Sequence, residues 1–474
     1  MRISKYLIVL IVLLTMAVSA EAQTALSLED CHRLALQSNG NLKISEEKKA
    51  ETEALKKMAL SEFFPKFSAN GTYIWNEKTI SLLSDEQKDR INNLGTTVLT
   101  DLAPSLNPTL LALLSGGNLA QNLNLTGQNI VNAMELDFTN VFAGTVSVLQ
   151  PVYLGGKLRA LYQAASLADQ LSGIQYDKEK EDLLISVDAA YWQIISLQHK
   201  QQLAQQYCDL LTRLSSDVEA MKDAEVATQG DLTKVRVKLN EAQMSLTKAN
   251  NGLALSKMLL MQLCGLPMNQ DITLVEDTIL VSYTPAESIN MEEVWQNRSE
   301  MRMLDISEGI ADAGVKIATS GLLPNIVATG SYVVTNPNSF NGFQTEFDGM
   351  FTVGVAVNIP LLHASDFYAV KAAKHKRNEI QYQRDEARSK IELQVNKLNY
   401  ELEVANKKLA QALSNLENAE ENLRLADESF KAGMINSNDL MSAQTAWLSA
   451  KSDVIDAEIE IRMSHLYLQQ ALGR

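Results

Sequence analysis

The sequence predicts a mainly helical, internally duplicated chain. Long antiparallel helix hairpins build a barrel of helices, and four strands per chain contribute to a β-barrel shared between copies. Three observations carry this. The stretch FPKFSANGTYIW at 64–75 returns in kind as LLPNIVATGSYVV at 322–334. With Pro65 set over Pro324, Lys66 meets Asn325, Ala69 meets Ala328, Gly71 meets Gly330 and Tyr73 meets Tyr332. An apolar four–three spacing runs without a miss from Ile391 to Phe430. The N-terminus reads as an export leader, and no later apolar run approaches ~20 residues, so strands must make any membrane crossing.

The leader comes first. Arg2 and Lys5 precede the apolar run Tyr6–Val18, and Ala20-Glu21-Ala22 offers the small-x-small pattern of a cleavage site. A signal peptide over 1–22 leaves Gln23 as the mature start. The 474-residue chain is 46% hydrophobic and 21% charged, with only 9 prolines and 6% aromatics, a composition suited to long helices. Its net charge of −15 argues against a nucleic-acid partner. Cys31, Cys208 and Cys264 are odd in number and widely spaced, so the spacing offers no disulfide framework. Cys31 also lies well past the expected cleavage site, so a lipid-modified N-terminal cysteine is not indicated.

The duplication extends beyond the opening match. LQPVYLGGKLRALYQAA (149–165) faces NIPLLHASDFYAVKAA (358–373), and LTKVRVKLNEAQ (232–243) faces LMSAQTAWLSAK (440–451). The same register sets Gly265 over Gly473, and SLED (27–30) faces NMEE (290–293). The first repeat covers 23–265, with strands at about 66–76 and 138–150. A linker spans 266–287. The second repeat covers 288–474, with strands at about 325–335 and 349–359.

Helix starts are marked by Ser27-x-x-Asp30, Thr228-x-x-Asp231, Asn290-x-x-Glu293 and Asn436-x-x-Asp439. Each sets a capping side chain three residues before an acid, which satisfies orphan N–H groups and complements the helix dipole. Pro65 and Pro324 stop the helices before them. The long helices are expected over 154–222 and 363–431, each roughly 100 Å at ~1.5 Å per residue. The shorter stretches 229–265 and 291–321, or 437–472 and 28–62, stacked end to end, match one long helix in height. The seam Ile391, Val395, Leu398, Leu402, Ala405, Leu409, Ala412, Leu416, Ala419, Leu423, Ala426 and Phe430 demands left-handed supercoiling. A looser copy runs through Ala190, Ile194, Leu197, Ala204, Cys208, Leu211 and Val218, which makes Cys208 a core thiol.

In the last strand Phe351, Val353, Val355, Val357 and Ile359 alternate with Thr352, Gly354, Ala356 and Asn358. One face is greasy and the other small or polar, as suits lipid outside and water inside. Trp75, Tyr73 and Tyr332 fit an interfacial aromatic belt. Four strands cannot close a membrane barrel, so several chains must share one. Within the long insertion 77–137, Ser84-Asp85-Glu86-Gln87 followed by Ile91, Leu94, Val98 and Leu102 predicts a short amphipathic helix.

No catalytic, cofactor or metal motif stands out. The five histidines lie far apart, and Gly155-Gly156-Lys157 lacks phosphate-loop spacing, reading instead as a strand-to-helix corner. The residues singled out are Asp231 and Asp439, equivalent under the repeat at the turns between antiparallel helices. They cap helices, and in an assembly around an axis they would form a carboxylate ring that favours cations at an entrance. From the residues alone a second reading stays open, a periplasmic or surface coiled-coil scaffold or adhesin without a pore.

The duplicated helix–strand–strand–helix halves, LQPVYLGGKLRALYQAA and the turn FKAGMINSNDLMSAQ (430–444) together resemble the TolC-like outer-membrane efflux protein family, over the whole mature chain. That resemblance implies a homotrimer with a twelve-stranded outer-membrane barrel continued by a periplasmic helical tunnel, and no enzymatic activity or cofactor. It implies an exit duct for a tripartite efflux or type I secretion system. The implied partners are a periplasmic adaptor (membrane fusion) protein and an inner-membrane transporter. By the same resemblance the adaptor-contacting tips are Glu225 and Val226 in the first hairpin and Gly433 and Met434 in the second. Where some members carry a second acid one turn after Asp439, this chain has Ser442.

Overall fold

The structure, a computed structural model, describes residues 24–77, 79–105, 107–109, 118–276, 289–338, 340, 344–361 and 363–474. The expected signal peptide and the linker from 277 onward lie outside the described residues. In chain order the elements are β1 (Thr24–Leu26), α1 (Leu28–Ser38), α2 (Gly40–Ser61), β2 (Lys66–Trp75), β3 (Ile80–Ser81), α3 (Asp85–Asn92), α4 (Leu94–Leu102), α5 (Leu119–Ala133), β4 (Glu135–Leu136) and β5 (Asn140–Leu154). There follow α6 (Lys157–Asp223), α7 (Gln229–Cys264), β6 (Ile272–Leu274), α8 (Met291–Asn297), α9 (Ser299–Ser320), β7 (Asn325–Asn336), β8 (Asp348–Asn358), α10 (Ala364–Lys431) and α11 (Ser437–Leu472). They divide into two units, one of residues up to 56, 163–315 and 372–474, the other of 57–162 and 316–371.

In the helical unit all four expected caps form. Ser27, Thr228, Asn290 and Asn436 each accept a backbone N–H of the helix they begin. The α10 seam is in place. Ile391, Val395, Leu402, Ala405, Leu416, Ala419 and Phe430 are buried, and Leu398, Leu409, Ala412, Leu423 and Ala426 pack partly buried beside them. Much of the seam meets α11, through Ala450, Val454, Ile461, Leu468 and Leu472. Cys208 lies in a core with Leu211, Val218, Leu232 and Phe430. No helix among the described residues is long and apolar enough to cross a membrane.

Two expectations are corrected here. Helices 28–62 and 291–321 are not continuous: Asn39 and Arg298 leave helical backbone, at ψ 127° and 124°. These breaks receive the ends of the return helices of their own halves, rather than of the opposite halves as helix lengths implied. Asn39 Nδ2 donates to Leu263 O at 3.3 Å, and Gly265, the left-handed cap of α7, lies against Ser38. In the same way Gly473, the left-handed cap of α11, lies against Asn297. Cys31, Cys208 and Cys264 are all free thiols, as their spacing leads one to expect, but the docking of α1 on the end of α7 also brings Cys31 and Cys264 into contact, which spacing did not show.

In the other unit the four long strands form one antiparallel sheet, ordered β2-β5-β7-β8. The two expected hairpins are thus joined by β5–β7 pairing, with Ser147 opposite Ser331. β5 runs four residues past the expected end at 150. It carries Pro151, which has no N–H to give the ladder, through a register shift between Pro151 and Tyr153. Gly155 and Gly156 then turn the corner at φ 60° and 82°, with any Cβ on Gly155 only 2.6 Å from Ser320 O. In the insertion the expected amphipathic helix is two helices, α3 and α4, parted at Asn93, and Ser84 with Gln87 forms the capping box of α3.

Candidate functional site: hairpin tips and an open sheet

The two hairpins of the helical unit end in the same turn. At the first, Glu225 N–H donates to Lys222 O and Val226 N–H to Met221 O, at 2.9 and 2.8 Å. At the second, Gly433 N–H donates to Phe430 O and Met434 N–H to Ser429 O, both at 2.9 Å. These are paired Schellman bonds, which need one left-handed residue. Gly433 supplies it at φ 72°, where no side chain resists. Its equivalent Glu225 supplies it at φ 60°, and it is the only non-glycine with positive φ among the described residues. Val226 and Met434 then project into solvent, 71% and 73% exposed.

The structure brings both tips together. A hollow of about 430 Å³ is lined by Val226, Asp231, Gly433, Met434 and Asp439, with Phe430 and Val218 at its floor. The two aspartates differ in occupation. The Asp231 carboxylate accepts from Thr228 N–H at 3.2 Å and Thr228 Oγ1 at 2.6 Å, and pairs with Lys234 at 3.6 Å. Those bonds to Thr228, then Lys234, hold its pKa below the ordinary 3.8. Asp439 gives its N–H to Asn436 Oδ1 at 3.1 Å, and among the described residues no ion pair or hydrogen bond engages its carboxylate. A second hollow, of about 390 Å³, is lined by Arg213, Asp217, Glu420, Arg424, Asp427 and Lys431. The sequence reading missed it, although the spacings Glu421–Arg424–Glu428 and Asp427–Lys431 already signal ion pairs.

The sheet of the other unit has two unlike faces. Phe351, Val353, Val355 and Val357 of β8 share a face with Tyr332 of β7, Val146 and Val148 of β5, and Phe67 and Tyr73 of β2. Ile359 follows just past the end of β8. All five residues expected to meet lipid are exposed. On the opposite face Ser68, Ser147, Ser331 and Thr352 stand in one row across all four strands. Ser68 and Ser147 hydrogen-bond at 2.7 Å, as do Ser331 and Thr352. Alternation in the sequence showed a polar face but not this alignment. The outer edges of β2 and β8 have no ladder partner among the described residues.

Long supercoiled hairpins together with a short open sheet, greasy on one face and hydroxyl-lined on the other, define the architecture of an outer-membrane channel. The sequence profile described as outer membrane efflux protein matches residues 32–266 and 290–474, and the chain belongs to that family. Solved structures share the fold. The CmeC outer-membrane channel of Campylobacter jejuni is 14% identical, with 94% of this chain and 85% of that one covered and a TM-score of 0.74. VceC of Vibrio cholerae is 14% identical over 94% of this chain and 96% of that one, with a TM-score of 0.71. MtrE of Neisseria gonorrhoeae, in its open state, is 16% identical over 94% and 88%, with a TM-score of 0.71. A comparison with curated proteins finds no match. The protein is an outer-membrane efflux duct, and the pore-free scaffold or adhesin is not favoured. Family and fold are those of channels rather than enzymes.

Proposed function

We propose that three copies of this chain join their sheets edge to edge into one twelve-stranded barrel and bundle their hairpins into a periplasmic tunnel. The assembly is the exit duct of a tripartite efflux or type I secretion system. The observation that carries this is the open sheet. A sheet of four strands with bare edges cannot span a membrane, because each unpaired backbone group would sit in hydrocarbon. Edge-to-edge closure with further copies satisfies both edges. The greasy face, with Phe351, Val353, Val355, Val357 and Ile359, meets outer-membrane lipid, and the row of hydroxyls faces water. A signal peptide over 1–22 directs export.

The hairpin tips carry the periplasmic end. Glu225, Val226, Gly433 and Met434 contact a periplasmic adaptor protein, which links the duct to an inner-membrane transporter. The solvent-exposed Val226 and Met434 support this, since apolar side chains at a turn gain from a partner. Asp231 and Asp439, repeated around the axis, line the entrance and favour cations. The test is reversal potential in planar bilayers under a salt gradient. Asp439→Ala is expected to lower cation selectivity. An unchanged reversal potential would leave Asp439 as a residue of the helix start alone. The Asp231 carboxyl is held below the ordinary carboxylate range by its bonds to Thr228, so its share of the selectivity is lost only as pH falls through that lowered pKa.

A further inference from the structure

Cys31 and Cys264 are 233 residues apart and were not expected to meet. In the fold Cys31 sits on α1 and Cys264 is the last residue of α7, 0% and 1% exposed. The Cys264 thiol donates to the carbonyl O of Cys31 at 3.6 Å. The thiols also interact with each other, and each is the first cause of the other's displaced pKa, Cys31 upward and Cys264 downward. The Cys264 sulfur thus touches the Cys31 residue itself, and both are free thiols packed in one core.

The backbone on either side is independently fixed. β1 and β6 pair in parallel, Thr24–Leu26 against Ile272–Leu274, just before Cys31 and just after Cys264. Tyr191 Oη donates to Leu26 O at 3.3 Å. Asn39 holds Leu263 O, and Gly265 abuts Ser38. Two buried cysteines are thus held in one core by contacts that do not involve sulfur. Cys208 lies in a separate core, with burial raising its pKa.

Outer-membrane proteins pass through an oxidising compartment, where disulfides form and persist. We propose that Cys31 and Cys264 are a disulfide-forming pair that staples α1 to the end of the first hairpin, leaving Cys208 as the one free thiol. This rests on export to the outer membrane, not on the trimer or its partners. Because both sulfurs are enclosed once α1 has docked, the exchange precedes docking. The Cys31 thiolate attacks the disulfide of an exported thiol–disulfide oxidoreductase, forming a mixed disulfide and releasing one oxidoreductase thiolate. The Cys264 thiolate then attacks the Cys31 sulfur and expels the other. The chain loses two protons and two electrons, and the oxidoreductase disulfide takes up both to become a dithiol. The bridge closes a loop spanning the whole first hairpin and restrains the unfolded chain.

The test is a thiol count on the full-length protein in outer membranes. Cells are acid-quenched, the protein is denatured without reductant, and a maleimide-polyethylene glycol of defined mass adds one gel step per free thiol. The wild type is expected to show one adduct before reduction and three after it. The deciding variant is Cys208→Ser, which leaves the pair untouched: no adduct before reduction and two after. Any adduct on unreduced Cys208→Ser overturns the proposal. Cys31→Ser is expected to free Cys264 and show two adducts without reductant. Because the count is made on denatured protein, it does not depend on whether a variant folds well.

Discussion

Leu402 and Val355 are both aliphatic, and both sit on an apolar stripe with the period of their element. Leu402 is 0% exposed and Val355 is 67% exposed. The helical unit buries its stripe against its own return helix, while the stripe of the sheet unit is left exposed among the described residues. Burial of apolar surface is the main favourable term in folding, so a sheet that leaves a whole face uncovered must find cover elsewhere. Alternation alone does not separate a soluble sandwich from a membrane barrel. Membership of the outer membrane efflux protein family does, and the exposed greasy face and unpaired edges among the described residues agree with it.

The contrast is broken most directly at the two stripes. Leu402→Ala leaves a cavity in the seam and is expected to cost about 2–5 kcal/mol, seen as a lower melting temperature of the detergent-solubilised particle. Val355→Arg places a charge toward lipid, expected to cost about 2–4 kcal/mol near mid-bilayer, seen as a lower yield of assembled protein in the outer membrane. Normal assembly of Val355→Arg would mean that this face does not meet lipid. An unaltered Leu402→Ala would mean that the seam is not the core.

The two tips make a finer comparison within the helical unit. The turn is the same, but Thr228 and Asp231 bond in both directions, whereas Asn436 only receives the N–H of Asp439. Thr228→Ala is therefore expected to cost about 0.5–2 kcal/mol, more than Asn436→Ala, by thermal melting. The smallest effect is at Glu225, which holds a left-handed conformation that costs an ordinary residue about 1 kcal/mol or more. Glu225→Gly is expected to stabilise by less than about 1 kcal/mol, since glycine also gains freedom in the unfolded chain. If it destabilises instead, the Glu225 side chain makes a contact that the turn geometry alone does not explain.

Much of this was legible in the sequence because it is written locally. Caps three residues from an acid, a seam spaced four and three, and strands spaced by two all follow from the geometry of one element. What was not legible depends on elements far apart. The β5–β7 ladder joins strands separated by two long helices, and no periodicity records which edges meet. The three-residue pair β1–β6 is too short to carry a pattern. The breaks at Asn39 and Arg298 carry no proline, so the helical periodicity read straight through them. Cys31 and Cys264 read as unrelated until the end of α7 met the α1–α2 junction. At the tips, the positions of Asp231 and Asp439 followed from the repeat, but the unequal occupation of their carboxylates turns on Thr228 and Lys234 against Asn436.

The central claim is that one chain supplies only part of a barrel, and the most direct test is the protein mass of the detergent-extracted particle, by light scattering corrected for bound detergent. Three chains per particle are predicted, enough for the bare edges of β2 and β8 to close on neighbouring copies. A monodisperse single chain, with those edges left open, would contradict the account.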